Sequence, residues 1–185
     1  MKPARPVAAD LNELFDVVDS ENRVIARAPR GEVHARHLLH RATHVMLHDP
    51  QGRLFLQRRS LGKDTFPGRW DSSCSGHLDA GEDYPTAARR ELAEELGFQD
   101  PSVPLRFLFM LPAGPETGHE FIAVHVMGPV AGPFDLNPAE ISEGRWVTPD
   151  ELDALVRDHP DDVAGALCLL WTRHRAELVA AMTQT

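Results

Sequence analysis

Residues 76–98 read GHLDAGEDYPTAARRELAEELGF, and this stretch decides the fold. Pro85 suits the first turn of a helix, Glu82 and Asp83 lie just before it, and Gly97 suits the left-handed residue that closes one. A helix is therefore expected from about Pro85 to Leu96. On it Glu91 stands three residues from Glu94 and four from Glu95, so all three carboxylates crowd one face. Like charges at this spacing repel by roughly a few tenths of a kcal/mol per pair. A chain that keeps them together calls for a cation. Arg90 is adjacent to Glu91 in sequence, and neighbouring positions on a helix point elsewhere. Clustered hard oxygen ligands suit Mg²⁺ or Mn²⁺, above all when a diphosphate supplies the remaining oxygens. Leu92 and Leu96 give the helix an apolar side to anchor it. Taken alone, E-x-x-E-E is also what a solvated helix face looks like, so the weight falls on the whole pattern.

Outward from this helix the chain alternates strands and turns. FDVVD (15–19) and RVIARA (23–28) read as a hairpin across Ser20-Glu21-Asn22. THVMLHD (43–49) and RLFLQRR (53–59) read as a second hairpin across Pro50-Gln51-Gly52. Residues 31–41 fit a loop or a helical turn, 62–70 a loop, and 71–78 a short strand. LRFLFML (105–111), EFIAVHVM (120–127) and RWV (145–147) are further strands. Thr148-Pro149-Asp150-Glu151 is a capping box that opens a helix to about Arg157. A last helix runs from about Asp162 to Met182, with Val163, Leu167, Leu170, His174 and Leu178 on one side. The expectation is a mixed α/β domain over 12–185 with helices at its C-terminal end, behind a loose segment at 1–11.

A chain of 185 residues suits one domain. Lys and Arg number 19 against 28 Asp and Glu, a formal net charge of −9. That balance argues against nucleic acid polymers and anionic membrane surfaces as partners. No apolar run approaches the roughly 18 residues of a membrane span, and no secretory signal pattern is present. Cys74 and Cys168 form no C-x-x-C pair and read as free thiols of a cytoplasmic protein.

The full pattern is Gly76-x5-Glu82-x7-Arg90-Glu91-Leu92-x-Glu94-Glu95-x-Gly97-Phe98. It resembles the signature box of the Nudix hydrolase superfamily at every defined position. The resemblance implies an α/β/α sandwich with a mixed central sheet. It implies that Gly76 presents a carbonyl to a Mg²⁺ (or Mn²⁺) ion, that Glu91, Glu94 and Glu95 bind it, and that Glu82 and Arg90 tie loop to helix. It implies hydrolysis of a small-molecule diphosphate, such as a nucleoside diphosphate derivative, by metal-activated water. Glu91 and Glu94 then count among the catalytic residues, and the base varies within the superfamily. An acid in the loop before Trp146 is a common choice there, which makes Glu140 the first candidate and Glu120 the second.

Residues 40–77 are similar to the branch that holds type I isopentenyl-diphosphate isomerase. The echoes are Leu39-His40-Arg41-Ala42, Gln57-Arg58-Arg59, Lys63, Phe66-Pro67-Gly68, Trp70 and Gly76-His77. That isomerase has a catalytic cysteine directly before its Gly-His pair; here the position is Ser75, and Cys74 comes one residue early. One residue along a strand reverses the face, so Cys74 should point away from the site. The box is intact here and degenerate in the isomerase. Hydrolysis is thus the leading reading, with an isomerase or a non-catalytic ligand-sensing module as alternatives.

His34, His37, His40 and His44 are spaced by three or four and could share a helical face. The isomerase-like branch binds metal through histidines near the positions of His40 and His77, but the three glutamates offer the better Mg²⁺ set. Arg58, Arg59, Lys63 and His77 are candidates to meet the substrate, arginine forks matching phosphate oxygens. Trp70 is read as packing under its loop. Oligomeric state is left open by the sequence: the long C-terminal helix suits its own chain or a partner copy in a homodimer.

Overall fold

A computed structural model describes residues 10–183. Of the expected loose segment, residues 1–9 lie outside the described residues, as do 184–185. Leu11 and Asn12 form a turn closed by Glu13 N on the Asp10 carbonyl at 3.0 Å, and the Leu11 carbonyl accepts from Gly31 N at 3.1 Å.

Three sheets carry the strands. The hairpin of β1 (Leu14–Val18) and β2 (Val24–Pro29) stands alone as a two-stranded sheet. α1 (Arg30–Ala35) leads into β3 (His40–Leu47). β3 lies inside a four-stranded mixed sheet, antiparallel to β6 (Cys74–His77) and parallel to β8 (Glu120–Met127). β7 (Leu105–Leu111) closes that sheet on the far side of β8. The third sheet places β4 (Leu54–Arg59) between β5 (Trp70–Asp71) and β9 (Ile141–Val147). α2 (Tyr84–Leu96) packs on one face of the mixed sheet, where Leu92 and Leu96 meet Val45 and Leu47. α3 (Pro149–Asp158) and α4 (Gly165–Thr183) follow at the C-terminal end. Leu167, Leu170, Trp171 and Leu178 of α4 meet Met46, Ile122 and Val124 on the other face. Alternate residues of β3 and β8 thus serve opposite cores, as a strand's two-residue period requires.

The expected second hairpin does not form. β3 already has β6 and β8 on its two edges, so β4 joins the other sheet, and an isolated bridge from His48 to Leu54 links them. Residues 31–41 split into α1 and the approach to β3, so the four histidines share no helix. β9 begins at Ile141, earlier than Arg145. The last helix begins at Gly165, after a short 3₁₀ turn at Pro160–Asp162, and bends at His174 (φ −126°, ψ 18°). There the imidazole stacks on Phe109 at 4.0 Å.

Candidate active site

α2 forms where local chemistry dictates. Asp83 accepts from Thr86 N at 2.9 Å and caps the first turn, and Gly97 closes the last at φ 64°. The helix stands on β6, which presses Glu91 against Gly76. A Cβ on residue 76 would lie 2.0 Å from Glu91 Oε1, so only glycine admits the carboxylate there. Burial, aided by the neighbouring charge of Glu95, pushes Glu91 up to about 8. Glu95 is buried and raised by the same cause; it accepts from Gln57 Nε2 at 3.1 Å and Ser75 N at 3.2 Å. Glu94 is the more open of the three.

Arg90 does not point away. Its Nε and Nη2 grip both oxygens of Glu82 at 3.0 and 2.9 Å, and Nη2 also donates to the His77 carbonyl at 2.9 Å. That fork draws the guanidinium across the helix face, where Nη1 reaches Glu91 at 2.7 Å and Glu94 at 3.3 Å. The long arginine side chain outreaches the angular offset between adjacent helix positions. Arg90 therefore ties the loop to the helix and partly answers the carboxylate repulsion.

A second group of ligating side chains forms beside the box. The parallel register of β3 with β8 sets His40 opposite Glu120, and the antiparallel register with β6 sets His77 opposite Ala42. α1 contributes His34. The ligating atoms of His34, His40, His77 and Glu120 all lie within 4.8 Å of one another. His40 Nδ1 lies 2.9 Å from the Leu38 carbonyl, which can only accept, so the proton is on Nδ1. Nε2 lies 3.5 Å from Glu120 Oε1. The Nε2 atoms of His34 and His40 are both buried without a hydrogen-bond partner. This donor set fits a divalent metal, with the Leu38 carbonyl orienting the His40 ring. His77 donates Nε2–H to Glu120 at 3.0 Å while Arg30 Nη1 meets its Nδ1 at 3.3 Å. Burial holds His77 down to about 4, against the pull of Glu120. Burial alone would raise Glu120, but His77 and His40 together outweigh it and the carboxyl sits well below its usual range. Phe15 stacks on His77 and His40 at 4.8 and 5.8 Å and backs the group.

Among the described residues this is the one group of three or more such ligands gathered so closely. Of the helix glutamates, expected to be the better set, Glu91 and Glu94 are bridged by Arg90, and Glu95 is engaged by Gln57 and Ser75. His37, at φ 54°, packs on His119 and stays outside that group.

Both groups open into a cavity of about 480 Å³. Lys63 and Glu140 meet at its wall as an ion pair, with Lys63 Nζ 4.0 Å from Glu95. Arg59 lines the cavity but is fully engaged, by Asp71 at 3.0 Å and by the Thr65 carbonyl and hydroxyl at 2.9 and 3.1 Å. It holds the 60–69 loop. Arg58 is not on the cavity wall: on a strand its neighbour's face is the opposite one. It donates to the Gly68 carbonyl at 2.9 Å and lies over buried Trp70, near exposed Glu143. Ser75 lines the cavity, whereas Cys74 is buried in the core beneath α2, where burial pushes its thiol up. Arg30, Asp71 and Asn137 also reach the cavity. No spacing marks them in the sequence, because each arrives from a different element.

The family model described as NUDIX domain matches residues 38–167. The chain is 37% identical over 177 residues to the uncharacterized Nudix hydrolase YfcD of Escherichia coli (strain K12), covering 94% of each chain. It is 37% identical over 169 residues to an uncharacterized Nudix hydrolase of Yersinia pestis, covering 89% of each. Among solved structures, DR0079 from Deinococcus radiodurans superposes with a TM-score of 0.75 at 28% identity, covering 93% of this chain and 100% of that one.

Proposed function

The chain belongs to the Nudix family, and from that premise we propose that it is a divalent-metal-dependent hydrolase of a small organic diphosphate. Membership makes it a hydrolase of pyrophosphate bonds in general. The finer reading rests on one observation: Glu91, Glu94 and Glu95 line the same cavity as His34, His77 and Glu120, with His40 buried beside them. The Gly76 carbonyl with Glu91, Glu94 and Glu95 would hold Mg²⁺ or Mn²⁺ beside the diphosphate. His34, His40, His77 and Glu120 would hold a second divalent ion, for which two orphaned imidazole nitrogens speak. When bound, such an ion offsets the charge that gathers on the phosphate oxygens.

The chain's own groups supply the rest. Lys63 stands between Glu95 and Glu140 and offers its ammonium to a phosphate oxygen. Glu140 is then released to accept the proton of the attacking water, and is our first choice of base. Glu120 is the weaker candidate, because a carboxyl held so far below its usual range is a poor proton acceptor. Arg59 and Arg90 keep the walls in place and leave the substrate to others.

An isomerase of isoprenoid diphosphates is the second reading of the sequence, and Ser75 on the cavity wall removes the thiol it needs. The experiment is a panel of organic diphosphates with Mg²⁺ or Mn²⁺, read by phosphate release. Turnover should vanish in EDTA and return with the metal, and Cys74→Ser should change it by less than about threefold, since metal-assisted hydrolysis needs no thiol. Turnover that survives exhaustive chelation, or a hundredfold loss in a folded Cys74→Ser protein, overturns the reading.

A further inference from the structure

One group on the cavity wall is used by neither ligand set. His44 lies on β3 opposite Ser75 of β6, is 5% exposed, and lines the cavity. Its Nδ1 is 2.8 Å from Ser72 Oγ, and that hydroxyl is 3.3 Å from the Cys74 carbonyl. A serine hydroxyl has one proton to give, and the carbonyl can only accept it. With the hydroxyl proton given to that carbonyl, His44 Nδ1 donates to Ser72 and Nε2 is left as a lone pair. No group among the described residues meets that nitrogen. Burial pushes the ring's pKa down, so it is a neutral acceptor at neutral pH. Its neighbours differ in this respect. Arg59 and Asp71 satisfy each other, and the second Asp71 oxygen accepts from Ser72 N at 2.8 Å.

We propose that His44 determines which organic group the site accepts: its Nε2 takes a hydrogen bond from a hydroxyl or amine on the group that the diphosphate carries. This rests on the hydrolase reading above and names the substrate class within it, a hydrogen-bonding group and not a hydrocarbon chain. The physics is asymmetric. A hydrocarbon seated here strips water from Nε2 and returns nothing, whereas an O–H or N–H replaces the water bond it displaces. Sites built around such a bond reject analogues that lack it far more strongly than apolar pockets reject an extra methylene.

The test uses two probes on the full chain, a nucleoside diphosphate and n-pentyl diphosphate. Methylene-bridged forms of both report binding without turnover. His44→Leu fills the volume and cannot accept; His44→Gln carries an amide oxygen to about the reach of Nε2. Wild type should bind the nucleoside analogue at least about tenfold more tightly than the pentyl analogue. His44→Leu should erase most of that preference, through KM with kcat little changed, and His44→Gln should restore it. Thermal unfolding reports whether each variant folds; if leucine does not, His44→Asn, too short to reach the Nε2 position, carries the same expectation. Equal affinity for the two analogues in wild type, or a preference that survives removal of the acceptor, overturns the inference. Binding of the nucleoside analogue without hydrolysis of its parent overturns the hydrolase reading and leaves this one standing.

Discussion

At Gly76 the absence of one methyl group admits a carboxylate. An alanine Cβ would lie 2.0 Å from Glu91 Oε1, so Gly76→Ala must expel Glu91 from its place against β6. Turnover should fall at least about a hundredfold, about 2.7 kcal/mol of barrier. The melting temperature should hold, because the expelled carboxylate regains water; steady-state kinetics and calorimetry check both. Glu94→Gln and Glu95→Gln keep shape and remove charge, and each should lower kcat by about a hundredfold or more if the carboxylates hold the metal. Near-normal turnover in both would remove the cluster from the reaction. His125 carries a pH signature away from these groups. It is buried on β8, and burial holds it down to about 4. Between that value and the ordinary 6.5 the unfolded chain binds a proton that the folded chain refuses. Stability is therefore complete above pH 6.5 and declines as pH falls toward 4, by at most about 3 kcal/mol from this group. His125→Gln should flatten that share of the decline in urea titrations run from pH 7 to 4.

At the scale of elements, what could be read from sequence divides by range. α2 was legible to within a residue because its caps, Asp83 and Gly97, are neighbours of what they cap. The tie between the box's Glu82 and Arg90 came from the family resemblance, although the reach of Arg90 to Glu91 and Glu94 was not foreseen, since it depends on where Glu82 pulls the guanidinium. Asp49 to Gly52 has good turn chemistry, yet the turn joins two sheets, because pairing is settled by β6 and β8, whose claims on β3 no local pattern shows. The histidine group was misplaced for the same reason. It exists because a parallel register puts His40 beside Glu120, a contact that spacing within 34–44 cannot reveal. Two element-level predictions follow from the caps and ties. Asp83→Ala should cost about 1 kcal/mol of stability in denaturant unfolding and leave kcat of the folded protein unchanged. Arg90→Lys keeps the charge but loses the fork on Glu82 and the bond to the His77 carbonyl, and should destabilise by about 2 kcal/mol.

For the molecule as a whole, a metal held by the native state and not by the unfolded chain adds to stability by mass action. Mn²⁺ at about a hundred times its dissociation constant should add about 2.7 kcal/mol. His40→Ala should remove most of that increment, measured as the metal-induced rise in melting temperature, whether or not a substrate is known. No helix among the described residues is long and apolar enough to cross a membrane, and the cavity is of a size for a small molecule. The two ligand sets also have different provenance along the chain. The family-matched span begins at residue 38 and carries the glutamate helix whole. His34, Arg30 and the ring of Phe15 that backs the imidazoles all come from the hairpin and short helix before it. The family-matched span thus stops short of three side chains that build or back the histidine group. Residues 10–37 frame the imidazoles from outside the matched span, so a change there can alter the histidine group while the glutamate helix keeps its sequence.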